Sequence, residues 1–214
     1  RVFGDFATAT ASDDEPGTKR LREMSAFLLG EQEYRKWYSF LDYGDLMHSY
    51  DPKRDLWRAD EGGYAWLNNE FMMAEAMWYA YLHTDDPRLY RLAEAMTRHA
   101  SDVDIYHGGP LAGHGSRHNV NHWGCMDKER RMTIPQHKRI YYFLTGDEHT
   151  RDMVHLIYDT LRSESENHEA MTLGVGGYAL VFLWETTGDA RYGEVLRKMT
   201  ETCCAARIDG QAFP

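Results

Sequence analysis

The chain is poor in the residues that build crosslinked or membrane-spanning proteins. It has 3 cysteines in 214 residues. Cys203 and Cys204 are adjacent and Cys125 stands alone, so the spacing gives neither a disulfide framework nor a zinc knuckle, and free thiols are expected. No run of about eighteen apolar residues is present to cross a bilayer, and the first residues lack the basic, apolar and small-residue succession of an export signal. A soluble chain without membrane contact is expected. Basic residues are also in deficit: 24 Lys and Arg face 34 Asp and Glu, for a formal net charge of −10. A body of that sign repels phosphate, which argues against nucleic acid as a partner. No glycine-rich phosphate loop follows a strand, and Gly174 to Gly177 fall inside an apolar run better explained by close helix packing.

What is present suffices for a folded domain, since 43% of residues are hydrophobic and 13% aromatic. Residues 1–17 read as a partly irregular lead-in and 18–214 as the domain. The chain opens at Arg1 and stops at Phe213-Pro214 in an expected loop. A piece of a longer polypeptide is therefore expected, with any export signal in the missing start.

A short pattern recurs four times: Leu29-Gly30-Glu31, Thr84-Asp85-Asp86-Pro87-Arg88, Thr145-Gly146-Asp147 and Thr187-Gly188-Asp189-Ala190-Arg191. Each follows an apolar run and precedes an amphipathic one. Glycine can close a helix in the left-handed conformation, and aspartate can cap the next by accepting from its free N–H groups. Four helical hairpins are expected. Residues 70–82 and 171–184 are apolar nearly all round, as helices enclosed by protein must be. Their successors carry a single stripe: Leu89, Leu92, Ala93 and Met96; Met153, Leu156, Ile157 and Leu161; Tyr192, Val195, Leu196 and Met199. Inner and outer helices alternating in this way imply an all-α fold, an incomplete α/α toroid of about four hairpins.

The connections within hairpins are short, whereas those between hairpins (43–68, 102–133 and 164–170) are long. Alternating helix direction brings the long ones to one end, and loops of such length are usually functional. The longest carries HGSRHNVNHWGCMDKERR, residues 114–131. From His107 to Arg139 there are six basic side chains (Arg117, Lys128, Arg130, Arg131, Lys138, Arg139) against Asp127 and Glu129, and five of the eleven histidines. A basic rim on an acidic body suits an anion; the alternative is a solvated loop whose charges pair locally. Thr133-Ile134-Pro135-Gln136 reads as a capping box that starts the next helix.

His118 and His122 have the spacing of metal ligands, but Asn119, Asn121 and Gly124 disfavour a helix there. A third ligand would have to come from His107 or His114. Proton transfer is the better use of these imidazoles, because histidine titrates near neutrality. No metal or other cofactor is assigned, with calcium the ion to consider. Cys125 beside His122 is a weaker nucleophile candidate. The 43–68 connection adds Tyr43, Asp45, His48, Tyr50, Trp57, Arg58, Tyr64, Trp66, Asn68 and Asn69, with Glu70 opening the inner helix. Aromatic faces beside amide and guanidinium donors suit a sugar ring, and Trp123 offers another platform. Core packing is the expected role of Trp78 and Trp184, and Asn68 or Asn69 can equally be a helix N-cap.

Tyr43-Gly44-Asp45, Trp66-Leu67-Asn68-Asn69-Glu70, the stretch from Arg91 to His107, Arg117-His118-Asn119-Val120-Asn121-His122-Trp123-Gly124 and Tyr141 to Asp147 together resemble the toroidal domain of the exo-rhamnogalacturonan lyase and YetA-like group. The likeness covers roughly residues 40–150. It implies a carbohydrate-active α/α toroid in a secreted or periplasmic protein, with His118, His122 and Asn68-Asn69-Glu70 lining the cleft. Such toroids have six hairpins, against about four here.

The chemistry expected of these residues is β-elimination on a uronic-acid-containing polysaccharide of the rhamnogalacturonan type. A cation from Arg117, Lys128, Arg130 or Arg131 neutralises the uronate carboxylate. His118 or His122 takes the neighbouring proton, and Tyr64, Tyr43 or the other histidine protonates the leaving oxygen. Lys128 and Arg131 join His118, His122 and Tyr64 as the catalytic set. Asn68, Asn69, Glu70, Trp123, Arg117, Arg130, Tyr43 and His48 form the expected binding set for an anionic carbohydrate. A glycoside hydrolase using paired carboxylates among Glu70, Asp45, Asp60 and Glu169 is the second reading, and a non-catalytic carbohydrate-binding domain the third.

Overall fold

A computed structural model describes residues 15–38, 43–47, 49–57, 66–67, 72–116, 133–163 and 170–208. Among them are seven α-helices: α1 (Pro16–Arg35), α2 (Met73–Thr84), α3 (Pro87–Asp102), α4 (Gln136–Thr145), α5 (Glu148–Ser163), α6 (Ala170–Thr187) and α7 (Ala190–Ile208). Four two-residue strands pair antiparallel, β1 (Leu46–Met47) with β4 (Trp66–Leu67) and β2 (Tyr50–Asp51) with β3 (Leu56–Trp57). The chain is all-α, as its periodicity predicts, and is built from helical hairpins. No described helix is long and apolar enough to cross a membrane. The described residues fall into two compact units, one through Asp102 and one from Val103 onward.

Three of the four expected turns form, and they share one chemistry. Thr84, Thr145 and Thr187 each turn the hydroxyl back onto the carbonyl four residues earlier, at 2.6–2.7 Å. Asp85, Gly146 and Gly188 then take the left-handed conformation, with φ of 55°, 70° and 69°. The aspartate that follows caps the next helix. Asp86 Oδ1 accepts from the Arg88 N–H at 2.9 Å, Asp189 Oδ1 from the Arg191 N–H at 2.9 Å, and Asp147 Oδ2 from the Thr150 N–H at 3.0 Å. The fourth turn does not exist. α1 runs straight through Gly30 to Arg35, because no left-handed closure or aspartate cap follows it. Instead Glu31 and Arg35 pair across one helical turn at 2.7 Å. The described hairpins are thus α2–α3, α4–α5 and α6–α7, and α1 belongs to no described hairpin but meets α2, where Thr18 Oγ1 lies 2.8 Å from His83 Nε2.

In the first unit the expected outer stripe is buried on α3, at Leu89, Leu92, Ala93 and Met96, against α2. Trp78 is wholly buried and donates Nε1–H to Thr97 Oγ1 at 2.9 Å. A separate aromatic cluster joins Phe27, Trp37, Tyr50 and Trp57. Trp57, expected to face a sugar, is 4% exposed and donates to Glu31 Oε2 at 2.6 Å, so it serves the core. The second unit centres on Val154, Tyr158, Ala179, Leu180, Phe182 and Leu183. Two expectations fail there: Trp184 is 48% exposed and Val195 44%. Trp184 lies over Gly193, where an added Cβ would come within 3.0 Å of the indole, so it spreads along the outside of the α6–α7 hairpin.

The long connections dock in an equivalent place in each unit, on the C-terminal half of an outer helix. Gly44 meets α3 so closely that a Cβ would stand 2.5 Å from the Ala95 carbonyl carbon, and its φ of +83° also demands glycine. In the second unit Gly113, with φ of +80°, abuts Thr160 on α5, and Ile105 packs on Met153, Ile157, Leu161 and Val175. The second connection carries a 3-10 turn at Gly109–Leu111 and an Ile105–Gly115 bridge.

Candidate functional site

Of the expected site residues, Tyr43 lies among the described ones. His48, Tyr64, Asn68, Asn69, Glu70, Arg117, His118, His122, Trp123, Lys128, Arg130 and Arg131 fall outside the described residues.

Tyr43 and its neighbours form a polar cluster on α3. The Tyr43 ring meets His99 edge-on at 5.0 Å, and its hydroxyl donates to Asp102 Oδ2 at 3.1 Å. Asp45 Oδ1 stands 3.4 Å from His99 Nδ1, and both side chains are buried. Tight docking at Gly44 explains why the flanking Tyr43 and Asp45 must turn inward onto the helix. Asp45, a carboxylate considered for hydrolysis, therefore faces a histidine in the protein interior. His99 carries no local sequence signal, since its partner is far away in the chain.

The inner helix α2 presents a second group. Glu75 and Tyr79 are four residues apart, on one face. Burial raises the Glu75 carboxyl above its ordinary range, and the hydrogen bond from Tyr79 offsets this only in part. Tyr79 is 44% exposed. A lone acid in an otherwise apolar inner-helix run is the signal that finds Glu75.

In the second unit the polar residues concentrate where α4 begins. Thr133, Gln136, His137 and Lys138 are all buried, and Lys138 is 0% exposed. The expected capping box does not form. Pro135 takes the N-cap position, where no side chain caps the helix, and Gln136 becomes its first residue. Gln136 Oε1, which the box would have used, is buried with no hydrogen-bond partner among the described residues. Lys138 Nζ lies 3.2 Å from His137 Nε2. An ammonium has only protons to give, so this nitrogen must accept and the imidazole is neutral, with its proton on Nδ1. Burial first, and the charge on Lys138 second, push the His137 pKa well below its ordinary value.

The two histidines considered as a third metal ligand are placed differently. His114 is buried, and its Nδ1 lies 3.2 Å from the Leu111 carbonyl. His107 stacks on His149 with centroids 5.9 Å apart. The sequence places His137 and Lys138 within the basic stretch without assigning them to the site. Their signal is three consecutive strongly polar residues opening an inner helix, a position that should be enclosed.

Comparison with known proteins agrees with this architecture. The family model described as the PcRGLX-like protein C-terminal alpha/alpha toroid domain matches residues 1–173. The protein YetA of Bacillus subtilis (strain 168), itself uncharacterized, is 48% identical over 148 residues, or 67% of this chain. The matched region is 17% of the length of that relative.

Proposed function

We propose, because this chain belongs to the PcRGLX-like protein C-terminal alpha/alpha toroid domain family, that it forms the toroid of a carbohydrate-active enzyme that cleaves uronate-containing polysaccharide by β-elimination. The observation that carries this reading is the start of α4. There a buried ammonium and a neutral imidazole sit side by side directly after the Arg- and His-rich segment. Elimination needs a positive charge at a carboxylate, which this basic stretch supports; the His137 lone pair is engaged by Lys138, so the base is sought among the other histidines.

In this mechanism Arg117, Arg130, Arg131 or Lys128 neutralises the uronate carboxylate, which acidifies the adjacent C–H. His118 or His122 takes that proton. The electron pair forms the ring carbon–carbon double bond as the glycosidic C–O bond breaks, and Tyr64 protonates the departing oxygen. Asn68, Asn69, Glu70, His48, Tyr43 and Trp123 hold the sugar. The reaction is assigned to side chains with no cofactor, and the partner is an anionic carbohydrate in a secreted or periplasmic setting.

Glu75 supports a second reading. A carboxyl raised by burial beside an exposed Tyr79 is the form of acid that a glycoside hydrolase uses. The discriminating experiment incubates the full-length natural polypeptide with rhamnogalacturonan. Elimination gives a new ultraviolet absorbance from the unsaturated uronate, whereas hydrolysis gives reducing ends without it. Reducing ends at the substrate's own ultraviolet baseline would end the lyase reading.

A further inference from the structure

A trough separates α1 from α3. Thr18, near the start of α1, meets His83 at the end of α2 from which α3 departs, and α1 packs back along α2, so α1 and α3 run in the same direction. Small residues stand where the two helices would otherwise close, Ala26 and Gly30 on α1 and Ala95 on α3. An added Cβ on Gly30 meets nothing within 4 Å. The space left is a cavity of about 530 Å³, a size suited to a small molecule. Leu29 and Leu92 give it an apolar lining.

Two arginines of α3 border this cavity, and they differ in state. Arg88 is held by both carboxylate oxygens of Asp86, at 2.6–3.2 Å. Arg91 is exposed and makes no hydrogen bond or ion pair among the described residues. Its guanidinium is a permanently charged fork of donors whose geometry matches a carboxylate. The acid of the lining, Glu33, is bound to Lys36 at 2.8 Å. Glu33 belongs to the last turn of α1 and Arg91 to the second turn of α3, so helices running the same way set them toward opposite ends of the trough. None of the described lining residues is aromatic, and a sugar ring would find no stacking face.

We propose that the α1–α3 trough is a binding site for an aliphatic carboxylate, with Arg91 directed at the carboxylate and the chain laid along Leu29, Leu92 and the small residues. The lining covers about two helical turns, or about 10 Å, which an extended chain of about eight carbons fills. Charge and tail contribute separately, one through the guanidinium and the other through methylenes removed from water. This ligand is not a carbohydrate, and the site stands apart from the lyase reading.

The test is calorimetric titration of the full-length natural polypeptide with octanoate, with butyrate as the short-chain control and octanamide as the neutral one. Octanoate is expected to bind at least about tenfold more tightly than butyrate, because four more methylenes leave water. Arg91→Gln alters an exposed side chain without a described partner, so the fold does not depend on it. This variant is expected to weaken octanoate about fivefold or more, the loss of a charge-assisted hydrogen bond partly screened by solvent, and to leave octanamide unchanged. Gly30→Phe fills the trough from a helical position with open space around it, and is expected to weaken octanoate and octanamide alike by about tenfold or more. No octanoate binding by the wild-type protein, butyrate bound as tightly as octanoate, or wild-type octanoate affinity in either variant overturns the site.

Discussion

The carboxylate of Asp45 and the imidazole of His99 face each other at 3.4 Å, with side chains 5% and 1% exposed. The contact ties the start of the 43–67 connection to the last turns of α3, with Gly44 pressed on the helix backbone between Tyr43 and Asp45. Removing one member of a buried pair leaves the other desolvated and uncompensated, although a histidine can shed part of the cost by staying neutral. Asp45→Ala is therefore expected to lower unfolding free energy by about 2–4 kcal/mol. Asp45→Asn, whose amide oxygen can still accept from Nδ1–H, should lose much less. Denaturant unfolding of the two variants checks the ordering, and equal losses would remove the hydrogen-bonding account.

Gly30 gives a prediction of opposite sign. It lies inside α1, has no positive φ, and an added Cβ there meets nothing within 4 Å. Alanine at such a site restricts the unfolded chain and suits the helix, so Gly30→Ala should stabilise by about 0.5–1 kcal/mol. A loss of stability on the same denaturant curve would restore the turn that the sequence pattern suggests at this point.

That contrast shows what local chemistry can specify. At 84–88, 145–147 and 187–191 a threonine, a left-handed residue and a capping aspartate act within a few positions of one another, so each turn is legible from its own residues. Leu29-Gly30-Glu31 has the glycine alone, and one glycine costs a helix only about 1 kcal/mol, too little to break it. Burial on α3 is legible from its stripe, because α2 covers one side. The exposure of Trp184 is not legible, since it depends on which neighbour reaches that face of α6. At the candidate site, His99 with Asp45 is a long-range pairing. The His137 and Lys138 contact is local, yet its importance comes from burial, which the sequence shows only through the enclosed position of α4.

His137 makes stability depend on pH in a definable window. Its folded pKa lies well below the ordinary value of 6.5, mainly through burial. Above 6.5 neither the folded nor the unfolded state binds the proton, and the group contributes no pH dependence. As pH falls below 6.5 the unfolded chain gains a proton that the folded chain refuses, so stability declines. The limiting slope is about 1.4 kcal/mol per pH unit for one proton. Unfolding free energies from about pH 7.5 to about pH 5 are expected to show this limb. His137→Gln should flatten it, because the Gln oxygen accepts from Lys138 without titrating. A limb of unchanged slope in that variant would assign the effect to other groups.

Gln136 gives a stability prediction of its own, through an acceptor that is buried without a partner among the described residues. Its Oε1 is buried without a described donor, a condition that costs about 1–3 kcal/mol in the free protein. Leucine has nearly the same volume and no polar atom to desolvate. Gln136→Leu is therefore expected to raise the thermal midpoint and add about 1 kcal/mol to unfolding free energy. A residue kept for folding would show lower stability on substitution. Higher stability in the variant would mark this oxygen as a net cost to the fold, because leucine fills the same space with no polar atom left desolvated.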